Sequence, residues 1–258
     1  MIDSHCHIDF RDFDRIRDDV LKEAQDAGVH TIVNVGADIE SSERGVVLAQ
    51  RHEMVFATVG VHPHDAKSLD DRTFQRLREL AGTDKVVAIG EIGLDFYRDL
   101  SPRSAQKVVF HRQMQLAVEL KLPVVIHTRE AFQETLLIAA EYADLLPGGV
   151  FHCFPGDVNE ALEVIKLGFV IGVGGVVTYE NSRMSRVAAA IPLGKMILET
   201  DAPYLTPVPH RGKVNRPAYV RYVCDKVAQL RGISPAEVEK ATDRTCQKLF
   251  HLVETFGG

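Results

Sequence analysis

The sequence predicts an α/β fold, a (β/α)8 TIM barrel with extra C-terminal helices. Three observations carry this prediction. Eight short, β-branched apolar runs recur along the chain, and longer stretches with helical spacing of apolar residues lie between them. The length of 258 residues, 45% of them hydrophobic, suits one such barrel of about 250 residues. A doubly wound open sheet is the alternative, but no GxGxxG turn follows the first run.

Strands are expected at 1–5, 31–35, 55–60, 86–90, 123–127, 149–152, 169–173 and 196–200. Runs such as TIVNV, VVAIG, PVVIH and FVIGV are apolar almost throughout, as parallel strands covered on both faces require. Helical stripes are formed by Phe110, Met114, Ala117 and Leu120 within 105–120, and by Phe132, Leu136, Ala139 and Ala143 within 131–143. Tyr219, Val223, Val227 and Leu230 repeat the spacing within 218–230. A last helix has a clear start, with Ser234 as N-cap, Pro235 at the first position and Glu237 completing a capping box. The loop at 201–217 holds four of the eleven prolines together with His210, Arg211, Lys213 and Arg216, so it is stiff and locally basic. No repeat or linker divides the chain, and one barrel over residues 1–258 is expected.

Active sites of such barrels lie at the C-terminal ends of the strands. His5, His7, Glu91, His127, His152 and Asp201 all stand at those ends. His5 and His7 flank one residue and so share a strand face, where both imidazoles can bind one cation. The HxH pair alone is a weak signal. His127 and His152 each close an apolar run, and neighbouring strands about 4.8 Å apart let two such imidazoles share a cation. Glu91 ends a buried strand, so its charge needs a metal or a partner such as Arg129, and its two oxygens can bridge two metals. Asp201 can ligate and can also accept the proton of an activated water. Two roles fit Glu199, a partner for a histidine N–H or one half of an ion pair. Two fit Asp3, support of the histidines or capping of a backbone N–H. His62 and His64 sit around Pro63 in a turn, where they contact substrate, serve as outer ligands or face solvent. Gly172, Gly174 and Gly175 read as places of close backbone approach.

A net charge of -6 argues against a protein that coats nucleic acid electrostatically, but not against a nuclease gripping one strand end through bound metal. Trp is absent, so base stacking falls to Phe or Tyr. Cys6, Cys153, Cys224 and Cys246 form no CxxC pair and read as reduced thiols, with strand alternation turning Cys6 and Cys153 away from the site. There is no signal-peptide pattern and no apolar run of membrane-spanning length; a cytoplasmic protein without a membrane span or an obligate protein partner is expected.

The segments DSHCHIDF, GVHPHDA, AIGEIGLDFYRD, LPVVIHTREA, FHCFPG, GVGGVVTY, ETDAPYLTP and GKVNRPAYV together resemble the TatD family of metal-dependent deoxyribonucleases, from residue 3 to about 220. The resemblance implies one divalent ion held by His5, His7, Glu91 and Asp201, and a second by Glu91, His127 and His152. It implies catalytic roles for Asp201 and Glu91, and 3′→5′ exonuclease action on a DNA end or single-stranded DNA with Mg²⁺. Members that keep both histidines of HxH, as this chain does, resemble the branch known only as metal-dependent hydrolases. His62, His64, Arg211, Lys213 and Arg216 are the expected substrate contacts. Mg²⁺ or Mn²⁺ is expected for activity, while four imidazoles also suit Zn²⁺ or Ni²⁺ in purified protein. A small-molecule amidohydrolase, lactonase or phosphotriesterase could use the same ligands. A purely structural metal fits less well, because such sites are closed and often Cys-rich.

Overall fold

The computed structural model describes residues 1–252; the last six residues of the expected 1–258 unit lie outside them. Eight parallel strands follow one another in chain order: β1 (Ile2–Cys6), β2 (Thr31–Val35), β3 (Val55–Val59), β4 (Val86–Asp95), β5 (Val124–Arg129), β6 (Gly149–Phe151), β7 (Val170–Val173) and β8 (Met196–Leu198). Parallel ladders join each strand to the next from β1 to β8, with register shifts in the β1–β2, β3–β4 and β4–β5 pairs. Between β8 and β1 the closure is made differently. Cys6 bridges to Ala202, the Asp201 N–H donates to the His5 carbonyl at 2.9 Å, and the His7 N–H donates to the Ala202 carbonyl at 2.8 Å. Asp3 completes this seam by accepting from the Thr200 N–H at 2.9 Å and the Thr200 hydroxyl at 2.6 Å.

Helices α1 (Arg17–Asp26), α2 (Ile39–Arg51), α3 (Asp71–Ala81), α4 (Arg103–Leu120), α5 (Phe132–Tyr142), α6 (Val158–Lys166) and α7 (Arg183–Ala190) run between the strands, followed by α8 (Val220–Arg231) and α9 (Pro235–Phe250). Side chains between strands and helices form one apolar layer that includes Ile32, Leu77, Phe110 and Phe151. A second layer fills the barrel with Ile2, Val33, Val125, Val150 and Ile197. Cys246, Leu249 and Phe250 of α9 join it, so α9 packs on the barrel interior from the end opposite the site. The start of α9 follows the sequence signal: Ser234 Oγ accepts from the Glu237 N–H at 3.2 Å, and Glu237 Oε2 accepts from the Ser234 N–H at 2.9 Å.

Several strand ends shift by one or two residues from expectation, and three differences bear on the site. β4 continues to Asp95, five residues beyond the predicted end, because Ile92 and Leu94, both fully buried, resume the pairing with β5 after a register shift. β8 stops at Leu198, two residues early, where the seam contacts of Thr200 and Asp201 take over from the ladder. β6 ends at Phe151, so alternation no longer governs Cys153; its φ of 42° turns it into the cavity wall rather than away from it. The glycines in and after β7 allow close approach of neighbouring groups. A Cβ on Gly172 would sit 2.5 Å from Glu199 Oε2, and one on Gly175 would strike the Leu205 carbonyl. All four cysteines are free, and among the described residues no helix is long and apolar enough to cross a membrane.

Candidate metal centre

Glu91 is buried and sits at the middle of the barrel mouth, with its two oxygens facing different groups. Oε1 lies 2.8 Å from His127 Nδ1, 3.1 Å from His152 Nε2 and 3.6 Å from His62 Nε2. Oε2 lies 3.6 Å from His5 Nε2 and 3.8 Å from His7 Nε2. Asp201 joins the second group, with Oδ1 3.7 Å from His5 Nε2 and 3.6 Å from His7 Nε2. A φ of 59° lets Asp201 turn inward directly after β8, a conformation that Asp tolerates better than most residues. The six residues predicted from separate strands therefore converge. Arg129, weighed as a partner for Glu91, instead lies over the Tyr97 ring at 3.9 Å.

Hydrogen bonding assigns the ring protons. His7 Nδ1 must donate to the Val35 carbonyl at 2.8 Å, so in the neutral ring Nε2 is a lone pair. That lone pair faces the carboxylates of Glu91 and Asp201. Acceptors turned on one another in a buried place are repulsive unless a positive charge lies between them. His127 has the same need, because both its nitrogens face carboxylates, Nδ1 toward Glu91 and Nε2 toward Asp95 Oδ2 at 3.3 Å. Burial works against charge on these rings, yet Asp201 raises His7, Asp95 and Glu91 raise His127, and Glu91 and Glu199 push His152 well above the ordinary value. Burial likewise opposes charge on Glu91 and Asp201. His152, His62 and His127 still hold Glu91 well below the carboxylate range, and His7, His152 and His5 hold Asp201 below it. The donor set thus fits divalent cations, with neutral imidazoles and ionised carboxylates aimed at shared points. His5, His7 and Glu91 can surround one point, as can His5, His152 and Asp201.

His62 stands apart from this set. It also groups with Glu91 and His127, but its Nδ1 accepts the His64 N–H at 3.2 Å, which leaves the proton on Nε2 in the neutral ring. Burial first and His127 next keep its pKa well below the ordinary histidine value. His62 therefore presents an N–H, not a ligating lone pair. His64 Nε2 contacts Asp95 Oδ2 at 2.9 Å.

Asp95 was not singled out from the sequence. It is 1% exposed and is anchored through Oδ1 by the N–H groups of Tyr97 and Arg98, leaving Oδ2 for His64 and His127. Burial opposes its charge, but bonds from His127, Arg98 and His64 drive its pKa far below the ordinary value. Of the two roles open to Asp3, the structure places it in the seam, bonded to Thr200. Burial pushes the Asp3 carboxyl up to about 8. Glu199 Oε1 lies 3.5 Å from His152 Nδ1 and accepts the Cys153 N–H. At that distance the histidine contact is electrostatic rather than a strong hydrogen bond, and His152 Nδ1 has no hydrogen-bond partner.

The centre opens into a cavity of about 1080 Å³. Phe10 and Tyr204 line it, with Phe10 stacked on His7 at 4.6 Å and Tyr204 edge-on to Phe10 at 6.4 Å. Arg98, Arg129 and Arg183 also line it, as do the acidic Asp38, Asp65 and Glu180. His62 and His64 reach this wall, whereas Arg211, Lys213 and Arg216 are not among its lining residues. Arg211 lies over the ring of Tyr179, which does line it, at 4.1 Å. Lys213 is exposed, and Arg216 pairs with Glu23 of α1 at 2.5 Å. His210 is held by the Tyr222 hydroxyl at 2.9 Å. The basic loop thus spends part of its charge on structure.

Comparison with known proteins places the chain among relatives of the same length. The family described as TatD related DNase matches residues 2–251. The chain is 36% identical over 253 residues to the Bacillus subtilis metal-dependent hydrolase YabD, covering 98% of this chain and 99% of that one. It is 40% identical over 256 residues to the 3′-5′ ssDNA/RNA exonuclease TatD of Cronobacter sakazakii, covering 97% of each. The crystal structure of YjjV, a TatD homolog from Escherichia coli, superposes with a TM-score of 0.92 at 32% identity and covers 98% of both chains.

Proposed function

The chain belongs to the TatD-related DNase family of metal-dependent hydrolases, and on that premise we propose that it cleaves phosphodiester bonds at the end of a single-stranded nucleic acid. The observation that carries this reading is the divided Glu91 carboxylate, with one histidine group at each oxygen. His5, His7, Glu91 and Asp201 would hold one divalent cation, and Glu91, His127 and His152 a second. Such a pair supplies Lewis acidity toward a phosphoryl oxygen and lowers the pKa of a water from about 15.7 toward about 7. The exonuclease name of the Cronobacter relative and the aromatic pair Phe10 and Tyr204 support a strand end as substrate.

The side chains divide the work. Asp201, held ionised by its histidine neighbours, receives the proton of the attacking water on its carboxylate. His62 directs its Nε2–H toward the reacting group and donates to the departing oxygen. Phe10 and Tyr204 shield the site from bulk water and offer ring faces to the terminal base. Arg98 and Arg129 provide charge for phosphates that approach the mouth.

A second reading, a small-molecule amidase or lactonase, is favoured by one observation: Asp38, Asp65 and Glu180 line the same cavity and repel a polyanion. The deciding experiment incubates 5′-labelled single-stranded DNA with Mg²⁺ or Mn²⁺ and wild-type, EDTA-treated or Glu91→Ala protein. A metal-dependent ladder of shortened products, absent with the variant, is expected. An intact strand alongside turnover of an amide or lactone panel would replace the nuclease reading with the second one.

A further inference from the structure

α7 begins at Ser182, whose hydroxyl accepts the Met184 N–H at 3.2 Å. Met184, Val187 and Ala188 turn one face of the helix into the core. The opposite face carries Arg183 and Arg186, both exposed. Residues three apart on a helix are neighbours, with Cβ atoms about 5–6 Å apart. Several arginines of this acidic chain are answered by a nearby carboxylate, as Arg44 is by Asp9, Arg78 by Glu119, Arg112 by Asp71 and Arg221 by Glu239. Among the described residues, Arg183 and Arg186 have no ion-pair or hydrogen-bond partner for their side chains.

Their position gives the free charge a use. Arg183 lines the main cavity and also a second cleft of about 370 Å³, which it shares with Arg186, Asp157, Val158 and Asn159. The two hollows therefore have a common wall, and a chain leaving the metal centre past Arg183 enters the cleft. The one carboxylate lining it, Asp157, caps α6 through Oδ1, which accepts the N–H groups of Asn159 and Glu160 at 2.8 and 3.0 Å. The cleft thus offers a ligand two guanidinium groups against one carboxylate, the guanidinium being the side chain best matched to phosphate oxygens.

The geometry points to a second phosphate subsite: the cleft binds a backbone phosphate of the same strand, one or two nucleotides from the bond being cut, through Arg183 and Arg186. This rests on the nucleic-acid reading of the metal centre and adds to it a preference for strands longer than a dinucleotide. Arg186 touches only the cleft, so its replacement separates the subsite from the chemistry.

The test compares wild type with Arg186→Ala and Arg186→Lys in the metal-loaded enzyme. Affinity for phosphorothioate single strands of two to eight nucleotides, which resist cleavage, is read by fluorescence anisotropy over a range of salt. Cleavage of unmodified strands of the same lengths runs in parallel, and a melting curve checks that each variant is folded. For wild type, affinity should rise with length. Arg186→Ala should lose about fivefold on long strands and nothing on the dinucleotide, with the single-strand salt slope reduced by about 0.7. Arg186→Lys should restore most of the affinity. Equal affinity of wild type and Arg186→Ala at every length overturns the subsite and, if cleavage persists, leaves the nuclease reading standing. Length- and Arg186-dependent binding without cleavage supports the subsite and removes the nuclease reading. No binding and no cleavage by wild type removes both.

Discussion

The two ends of the Glu91 carboxylate face groups of different construction. On the Oε1 side, His62, His127 and His152 follow from β3, β5 and β6, strands that belong to one continuous ladder with β4 between them. On the Oε2 side, His5 and His7 leave β1 while Asp201 follows β8, across the junction that lacks a regular ladder among the described residues. Backbone pairing positions the first group. Side chains position much of the second, because Asp3 ties β1 to Thr200 at the place where the strands no longer pair. The difference teaches that a barrel can build half a site on its sheet and half on its seam, and that the halves should fail in different ways.

Glu91→Ala should produce the largest effect, since it removes the one group common to both halves. Metal content measured by elemental analysis and hydrolytic activity should fall together to the level of EDTA-treated protein. A variant that keeps its metal and its activity would break the whole comparison. Asp3→Ala should come next and act on the seam alone. It strands the Thr200 N–H and hydroxyl in a buried place, costing about 2–3 kcal/mol in urea unfolding. Binding by the His5–His7 half should weaken while the other half persists.

Asp95→Asn tests the ladder half. The variant removes the carboxylate that faces His127 and His64, and the affinity of that half for metal should fall about 10- to 100-fold by titration calorimetry with little change in stability. A pH series sharpens the seam. The folded-state pKa of Asp3 is about 8 against an ordinary 3.8, so the folded protein holds a proton that the unfolded chain has released. Its contribution to stability is therefore full at low pH and is lost as pH rises from about 4 through about 8. Asp3→Asn should flatten that part of the melting-temperature profile; an unchanged slope would assign it to other groups. Arg216→Ala and Lys213→Ala should have the smallest effects. Breaking the half-exposed pair with Glu23 should cost no more than about 1 kcal/mol, and affinity for single strands should change less than about twofold in either variant.

Much of this arrangement was legible in the sequence. Strands buried on both faces appear as apolar runs, so a histidine or an acid closing such a run, as at His127, His152 and Glu91, stands out as a cost needing a reason. Asp95 was missed because the run seemed to end at Gly90, although buried Ile92 and Leu94 carry the strand onward. The alternation from Ile92 to Leu94 was the signal available. Arg183 and Arg186 were missed for the opposite reason: basic residues on the outer face of an amphipathic helix look like ordinary solvated surface, and only folding reveals that no carboxylate answers them. The 201–217 loop reads as locally basic, but the partner of Arg216, Glu23, lies 193 residues away. Contacts across such distances leave no local pattern.

The seam also sets a clock. Asp3 and Thr200 are 197 residues apart, and the first strand waits through the synthesis of the other seven before its last neighbour exists. The β3–β6 segment can emerge from the ribosome and pair while the early histidines still lack Asp201. A nascent chain stopped short of Thr200 carries one half of the centre and no means of completing the other. Full assembly of the site is thereby tied to near-complete translation.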